Sequence, residues 1–202
     1  MKTDFRTERP DLYSPKADGF SVVDVPPFRF AMIDGRGDPN TSPEYAAAVE
    51  ALYSVSYAAK FASKAELHRD CVVGPLEGLW DAERMASFLD RSKSEWRWTM
   101  MIRQPDWIPP ELWEHAIAKA AKKRPGVANV RLETFTEGLS VQILHIGSYD
   151  DEGPTLARLH DEYLPAHGYA ETGRHHEIYL SDPRRVAAAK LKTVLRQPVK
   201  TR

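Results

Sequence analysis

With one cysteine in 202 residues the chain can form no internal disulfide, and Cys71 lies beside Val72 and Val73 in an apolar run, as a buried thiol does. No stretch approaches the roughly 20 apolar residues of a membrane span. Met1-Lys2-Thr3-Asp4-Phe5-Arg6 leads into more charge without the apolar region of a secretion signal. A net charge of -1 gives no electrostatic pull toward nucleic acid or an anionic membrane. These absences predict a cytoplasmic protein in a reducing compartment, with neither nucleic acid nor membrane as partner. Also missing are a nucleotide-binding glycine loop, a paired-cysteine metal site, a histidine-glutamate zinc helix and a serine elbow. Familiar hydrolase machinery and a bound cofactor therefore have no support. What is present is globular composition, with 42% hydrophobic and 28% charged residues, enough to bury a core and too apolar for long disorder.

Along the chain, residues 1–18 read as a polar, extended lead-in whose Leu12 and Tyr13 dock on the body. Phe20 to Ile33 is β-branched and aromatic and breaks at Pro26-Pro27, which predicts two short strands or one bulged strand. Thr41-Ser42-Pro43-Glu44 starts a helix that reaches about Ser63. Arg69 to Trp80, punctuated by Gly74 and Gly78, predicts a kinked strand, and Trp96 to Arg103 a second one. Pro110 to Lys123 is a helix, and Val130–Phe135 with Leu139–Ile146 read as a hairpin about Glu137-Gly138. A helix over 154–166, a strand over 174–181, a short helical turn from Pro183 and a strand from Leu191 to Leu195, closing before Pro198, complete the order.

The two halves echo each other: Ile33-Asp34-Gly35 is answered by Ile146-Gly147, and Ile102-Arg103-Gln104-Pro105 by Leu195-Arg196-Gln197-Pro198. Each half places a glutamate in its penultimate strand, Glu77 in one and Glu177 in the other. The expected fold is α+β: a module over 20–105, a bridging helix and linker over 106–129, and a second module over 130–198. Two such modules about a pseudo-twofold would leave a groove, the kind of concave seam ligands favour.

The most informative segment is His175-His176-Glu177-Ile178-Tyr179-Leu180. Period-two alternation puts His176, Ile178 and Leu180 on one face, expected to meet the helices, and His175, Glu177 and Tyr179 on the other, toward solvent or the groove. Adjacent strand residues point to opposite faces, so the two imidazoles do not share a metal ion. Around Pro75-Leu76-Glu77-Gly78-Leu79-Trp80 an acid and an indole flank a glycine, so Glu77 is either a site residue or half of a buried ion pair with Arg103 or Arg97. Tyr57, Trp80, Trp98, Tyr149 and Tyr179 supply rings for a ligand, with plain core packing the alternative for Trp98 and Tyr57.

Tyr57-Ala58-Ala59-Lys60, Pro75 to Trp80, Met101-Ile102-Arg103-Gln104-Pro105-Asp106, Leu144 to Glu152, Glu177 to Arg185 and Leu191 to Arg196 together resemble the GyrI-like small-molecule-binding proteins, in their stand-alone subgroup. The resemblance implies a duplicated β-α-β-β module of SHS2 type, with a ligand groove on the pseudo-twofold and the Glu177 carboxylate facing aromatic rings. Related drug-sensing effector domains belong to transcription regulators, and the residues before 20 leave no room for a DNA-binding domain. The subgroup includes cyclopropanoid cyclopropyl hydrolases, which detoxify DNA-alkylating natural products. The resemblance thus implies a groove for planar aromatic or cationic xenobiotics, with Glu177 as base for hydrolytic ring opening. Binding without catalysis, and a gyrase-inhibitor type of interaction protein, are the alternatives.

Overall fold

The computed structural model describes residues 2–82 and 93–202. The lead-in is not extended: it folds as a two-residue strand, β1 (Lys2–Thr3), and two helical turns, α1 (Phe5–Glu8) and α2 (Pro10–Tyr13). Asp4 starts the first turn by accepting hydrogen bonds from the Arg6 amide and guanidinium at 2.9–3.1 Å. Leu12 and Tyr13 are buried, as expected. The path continues through β2 (Ser21–Val25), β3 (Phe28–Arg36), α3 (Pro43–Glu66), β4 (Asp70–Cys71), β5 (Leu76–Ala82) and β6 (Trp96–Arg103). There follow α4 (Pro110–Ala121), β7 (Arg131–Phe135), β8 (Gly138–Ile146), a helical run over 153–166 (α5), β9 (Tyr169–Glu171), β10 (His175–Tyr179) and β11 (Lys192–Thr201). The chain forms two compact units, Met1–Glu8 with Phe28–Phe135 and Arg9–Pro27 with Thr136–Arg202, so the segment 106–129 falls inside the first.

In the first unit the antiparallel order is β5-β6-β3-β7. Helix α3 forms because Ser42 caps the Tyr45 amide, Pro43 is preset for the first turn and alanines follow. Ala48, Leu52, Val55, Ala59 and Ser63 recur at helical spacing and are buried, and the helix packs on β3, β6 and α4. Polar atoms on that buried stripe are satisfied: Gln104 Nε2 donates to Ser56 Oγ at 2.8 Å and Trp107 Nε1 to Ser63 Oγ at 3.0 Å. Lys60 Nζ donates to Asp70 and to the Cys71 carbonyl, tying β4 to the helix. The kinked strand expected over 69–80 is two strands, because β4 leaves to pair in parallel with β1.

In the second unit the order is β2-β8-β11-β10, with β9 on the far end of β11. Val141, Leu159, Leu164 and Val199 form its core, flanked by Phe20, Leu139, Tyr163 and Tyr169. The expected strand end before Pro198 is corrected: β11 runs through it. Proline lacks an N–H, and Pro198 sits where β11 leaves β8 (Pro198 opposite Ser140) for β9 (Val199 opposite Glu171).

The expected hairpin over 130–146 is also corrected: β7 pairs with β3, while β8 pairs with β2 and β11. The residues between them are pulled apart. Phe135 packs edge-on against Phe30 with centroids 6.4 Å apart, whereas the Glu137 carboxylate is drawn onto Arg196 and His176, each at 2.9 Å. In each unit a strand before the long helical segment and two strands after it lie together with the last strand between the other two (β3·β6·β5 and β8·β11·β10), β4 and β9 intervening in sequence.

Candidate functional site

Strand β10 alternates as expected, with His176 and Ile178 buried and His175, Glu177 and Tyr179 half-buried. Which face meets the helix is the reverse of the expectation. Residues directly opposite in a sheet share a face. His176 lies opposite Arg196 and Arg196 opposite Gln142, and this row donates to the backbone of α2, Arg196 to the Leu12 carbonyl at 2.8 Å and Gln142 to that of Asp11 at 2.6 Å. Glu177 lies opposite Leu195 and Tyr179 opposite Thr193, on the side where Val141 and Val199 pack against Leu159 and Leu164 of α5. The buried polar side chains of the first row, Arg196 and Gln142, needed acceptors of their own. The lead-in provides them, leaving Glu177 to the helix side.

The turn before α5 brings a second carboxylate to Glu177. After β8, Gly147 passes so close to His145 that a Cβ there would lie 2.9 Å from Nε2, and the His145 Nε2 contacts the Ser148 carbonyl at 3.1 Å. Ser148 Oγ donates to Asp151 at 2.6 Å, and Glu152 follows, buried at 5% exposure, its carbonyl accepting from the Leu156 amide. A carboxylate at a helix start is ordinarily stabilised in its charged form by roughly 0.3–1 kcal/mol. Here burial, and then the neighbouring Glu177 charge, outweigh that and push the Glu152 carboxyl far above the usual range, so it holds its proton at neutral pH. Glu152 Oε1 is buried without a hydrogen-bond partner.

Two tyrosines complete the cluster. Tyr149 and Tyr179 meet edge to face with centroids 5.6 Å apart, and Tyr179 Oη donates to Glu177 Oε2 at 2.7 Å. Burial, then Glu152, Glu177 and Asp182, push the Tyr149 hydroxyl up to about 12. His175 Nε2 lies 3.8 Å from Glu177 Oε1, and burial, with His160 and His176 nearby, lowers this imidazole to about 3. The cluster thus holds the Glu152 carboxyl, raised by burial and then by Glu177, together with the Glu177 carboxyl, the Tyr179 phenol that donates to it and the His175 imidazole lowered by burial. That is the inventory for general acid and general base work on one bound molecule.

Of the residues singled out from the sequence, Tyr149, Glu177 and Tyr179 are brought together. Tyr57, Glu77, Trp80 and Trp98 belong to the first unit. There Trp98 is 1% exposed with its ring over Gly35, edge-on to Tyr45 at 5.2 Å. Trp80 stacks with Tyr45 at 6.4 Å and meets Trp96 at 5.6 Å, and Glu77 is buried on β5. Arg97 pairs with Asp81 at 3.1 Å, and Arg103 lies between the rings of Phe5 and Phe28 at 4.3 and 3.4 Å. Tyr57 is 46% exposed in a ladder with Tyr53 and Phe61 at 6.4 and 6.2 Å. Glu152 was missed as a site residue: in sequence it ends the acidic run Asp150-Asp151-Glu152, which reads as a solvated turn. The one available signal was the Gly153-Pro154 that follows, marking a helix start. Among the described residues no group of three His, Cys, Asp or Glu is placed to hold a metal ion, and no helix is long and apolar enough to cross a membrane.

Two strand-helix-strand-strand units, one carrying a paired-carboxylate site, define an α+β protein of ligand-binding type. The chain belongs to the GyrI-like small-molecule-binding domain family, whose model matches residues 20–200. Three crystal structures from Listeria innocua are similar over nearly the whole length. An uncharacterized conserved protein is 40% identical with a TM-score of 0.90, covering 98% of this chain and 100% of that one. Two proteins named hydrolases are 38% and 37% identical, with TM-scores of 0.85 and 0.88, covering 98% and 99% of this chain and 100% of each of theirs. The EcmrR C-terminal domain, 11% identical with a TM-score of 0.58 over 91% of this chain and 98% of that one, shares the fold. No curated protein matches the chain.

Proposed function

We propose that this protein binds planar aromatic or cationic xenobiotics and hydrolyses cyclopropanoid alkylators among them, with Glu177 as base and Glu152 as acid. The observation that carries the reading is the cluster itself: the buried Glu152, whose carboxyl burial and then Glu177 push far above the usual range, beside Glu177, which accepts from Tyr179 at 2.7 Å. The hydrolase names of the two relatives agree with it. In a cyclopropane conjugated to a carbonyl, Glu177 takes a proton from water as the water oxygen bonds to a ring carbon. The ring C–C bond breaks, its electron pair moves into the conjugated carbonyl, and Glu152 protonates the oxygen that becomes a hydroxyl. Glu177 then returns its proton to Glu152, and no net proton is consumed. Tyr149 and Tyr179 offer ring faces to a flat substrate and exclude water from the acid.

The test is incubation with a cyclopropane-bearing cyclohexadienone alkylator, following the water adduct by mass spectrometry. Glu177→Gln and Glu152→Gln should each lower turnover by about 10²–10⁴-fold while the fold persists. Undiminished turnover in Glu177→Gln removes the base. The binding-only alternative rests on the acidic, aromatic lining, which suits a cation. It predicts saturable tyrosine and tryptophan quenching by a cationic dye and no adduct from the wild type.

A further inference from the structure

Strand β7 is the outer strand of the first unit: β3 pairs with one of its edges, and among the described residues no strand pairs with the other. An open edge presents a row of amide N–H and carbonyl groups that another strand can take up. Alternation puts Val130, Leu132 and Thr134 on one face here and Arg131, Glu133 and Phe135 on the other, where Arg131 holds Asp34 at 2.8 and 3.2 Å and Phe135 meets Phe30. On the first face, β7 and α4 enclose a groove of about 460 Å³ whose apolar lining is Pro110, Trp113, Ile117, Val130 and Leu132. Trp113 and Val130 are buried, while Ile117 and Leu132 stay half-buried, so apolar surface lies directly beside the open edge.

The charges on β7 select the strand that can join it, because in an antiparallel pair opposite charges directly across stabilise and like charges destabilise. A second copy of β7 about a twofold axis centred on Arg131 sets arginine against arginine, and one centred on Glu133 sets glutamate against glutamate. Centred on Leu132, the axis sets Arg131 against the partner's Glu133 and Glu133 against the partner's Arg131, with the two Leu132 side chains facing each other beside the grooves. We propose that β7 is the interface of a homodimer, two copies pairing antiparallel about Leu132 so that the sheet of the first unit continues from one protomer into its partner. Arg131 Nε, which within the chain donates to Glu133 at 2.7 Å, turns to the partner's Glu133, while Nη1 and Nη2 keep Asp34. Arg131, Glu133 and Asp34 are 40, 55 and 63% exposed, and bonds between such exposed charges are weak enough to exchange. The outer strand of the second unit, β2, carries Asp24 as its one charge, so no twofold register gives it an opposite-charge pair. The inference stands independently of the acid-base reading of the second unit.

Sedimentation velocity of the full chain tests this, with circular dichroism to show that each variant is folded. The wild type sediments as a dimer. Arg131→Glu sets acid against acid twice across the axis, and Glu133→Arg sets base against base twice, so either variant alone dimerises about tenfold or more weakly. Mixed in equal amounts, the two variants regain both opposite-charge pairs and form a heterodimer as tight as the wild-type dimer. Leu132→Cys reads the register separately: directly opposite Cα atoms lie about 4.5–5.5 Å apart, within disulfide reach, and mild oxidation links two chains. Cys71, the chain's one cysteine, is buried and does not compete. A monomeric wild type overturns the inference. So does a dimer that both charge reversals leave intact, or a mixture of the two variants that stays monomeric. Should a reversal variant not fold, Leu132→Cys decides, and the absence of a crosslink in it overturns the inference.

Discussion

The two units follow the same strand order yet line it differently. Between β5 and β6 the first unit spends its large side chains on itself: Trp98 lies on Gly35, Tyr45 meets both Trp98 and Trp80, and Trp80 meets Trp96. Between β10 and β11 the second unit carries Glu177, Tyr179, His175 and Thr193 on the corresponding strands, and faces them with Glu152. The first unit fills these strands with indoles that pack on one another, whereas the second unit places titratable groups there. Even the paired glutamates divide this way, Glu77 being 1% exposed and Glu177 bonded to a tyrosine at the site.

The contrast is broken most forcefully at Trp98. Trp98→Ala should lower unfolding stability by about 3–5 kcal/mol in urea titration, the loss typical of an emptied aromatic core position, whereas Glu177→Gln should leave stability nearly unchanged. Equal losses would mean that the two units are not divided between packing and chemistry.

Acid should strike the second unit next hardest. Glu137, which burial would raise but His176 and Arg196 hold down at about 2, contributes stability that is present above its ordinary 4.5 and lost as pH falls toward 2. His175, lowered to about 3, is neutral when folded and charged when unfolded below 6.5, so its share is lost between 6.5 and 3. The unfolding free energy from urea titration should therefore fall steeply from pH 6.5 to 3, by about 3 kcal/mol or more, and the fall should shrink in Glu137→Gln measured against its own neutral-pH value.

Glu152 has the opposite sign. Its raised carboxyl means that the folded state keeps a proton the unfolded chain releases above about 4.5, so stability declines as pH rises from there. Glu152→Gln should match the wild type near pH 4 and exceed it at pH 9 by about 2 kcal/mol, read by thermal or urea unfolding at both values. The smallest effect is expected at the α3 cap, where Ser42→Ala should cost about 1 kcal/mol without touching the second unit's site.

Much of the local structure was legible from residue order. Ser42-Pro43 fixed the start of α3, alternation separated Glu177 and Tyr179 from His176 and Ile178, and Pro26-Pro27 marked a strand break. These signals are short-range: a cap, a period of two and a missing N–H act within a few residues. The motifs also carried the family, because they are spread along nearly the whole chain.

Partnership between distant segments was not legible. Alternation cannot say which face a helix covers, and the hydrogen bonds of the buried Arg196 and Gln142 to the α2 backbone settled that Glu177 looks toward α5. Nor does any spacing join Glu152 to Glu177, 25 residues apart in number and brought together by a turn that Gly147 makes tight. The sequence by itself determined most helix and strand positions, the family and one of the two carboxylates. The tertiary structure decided the other carboxylate, its protonation and the core role of Trp98, because burial and the nearness of a second charge exist only once the chain has folded.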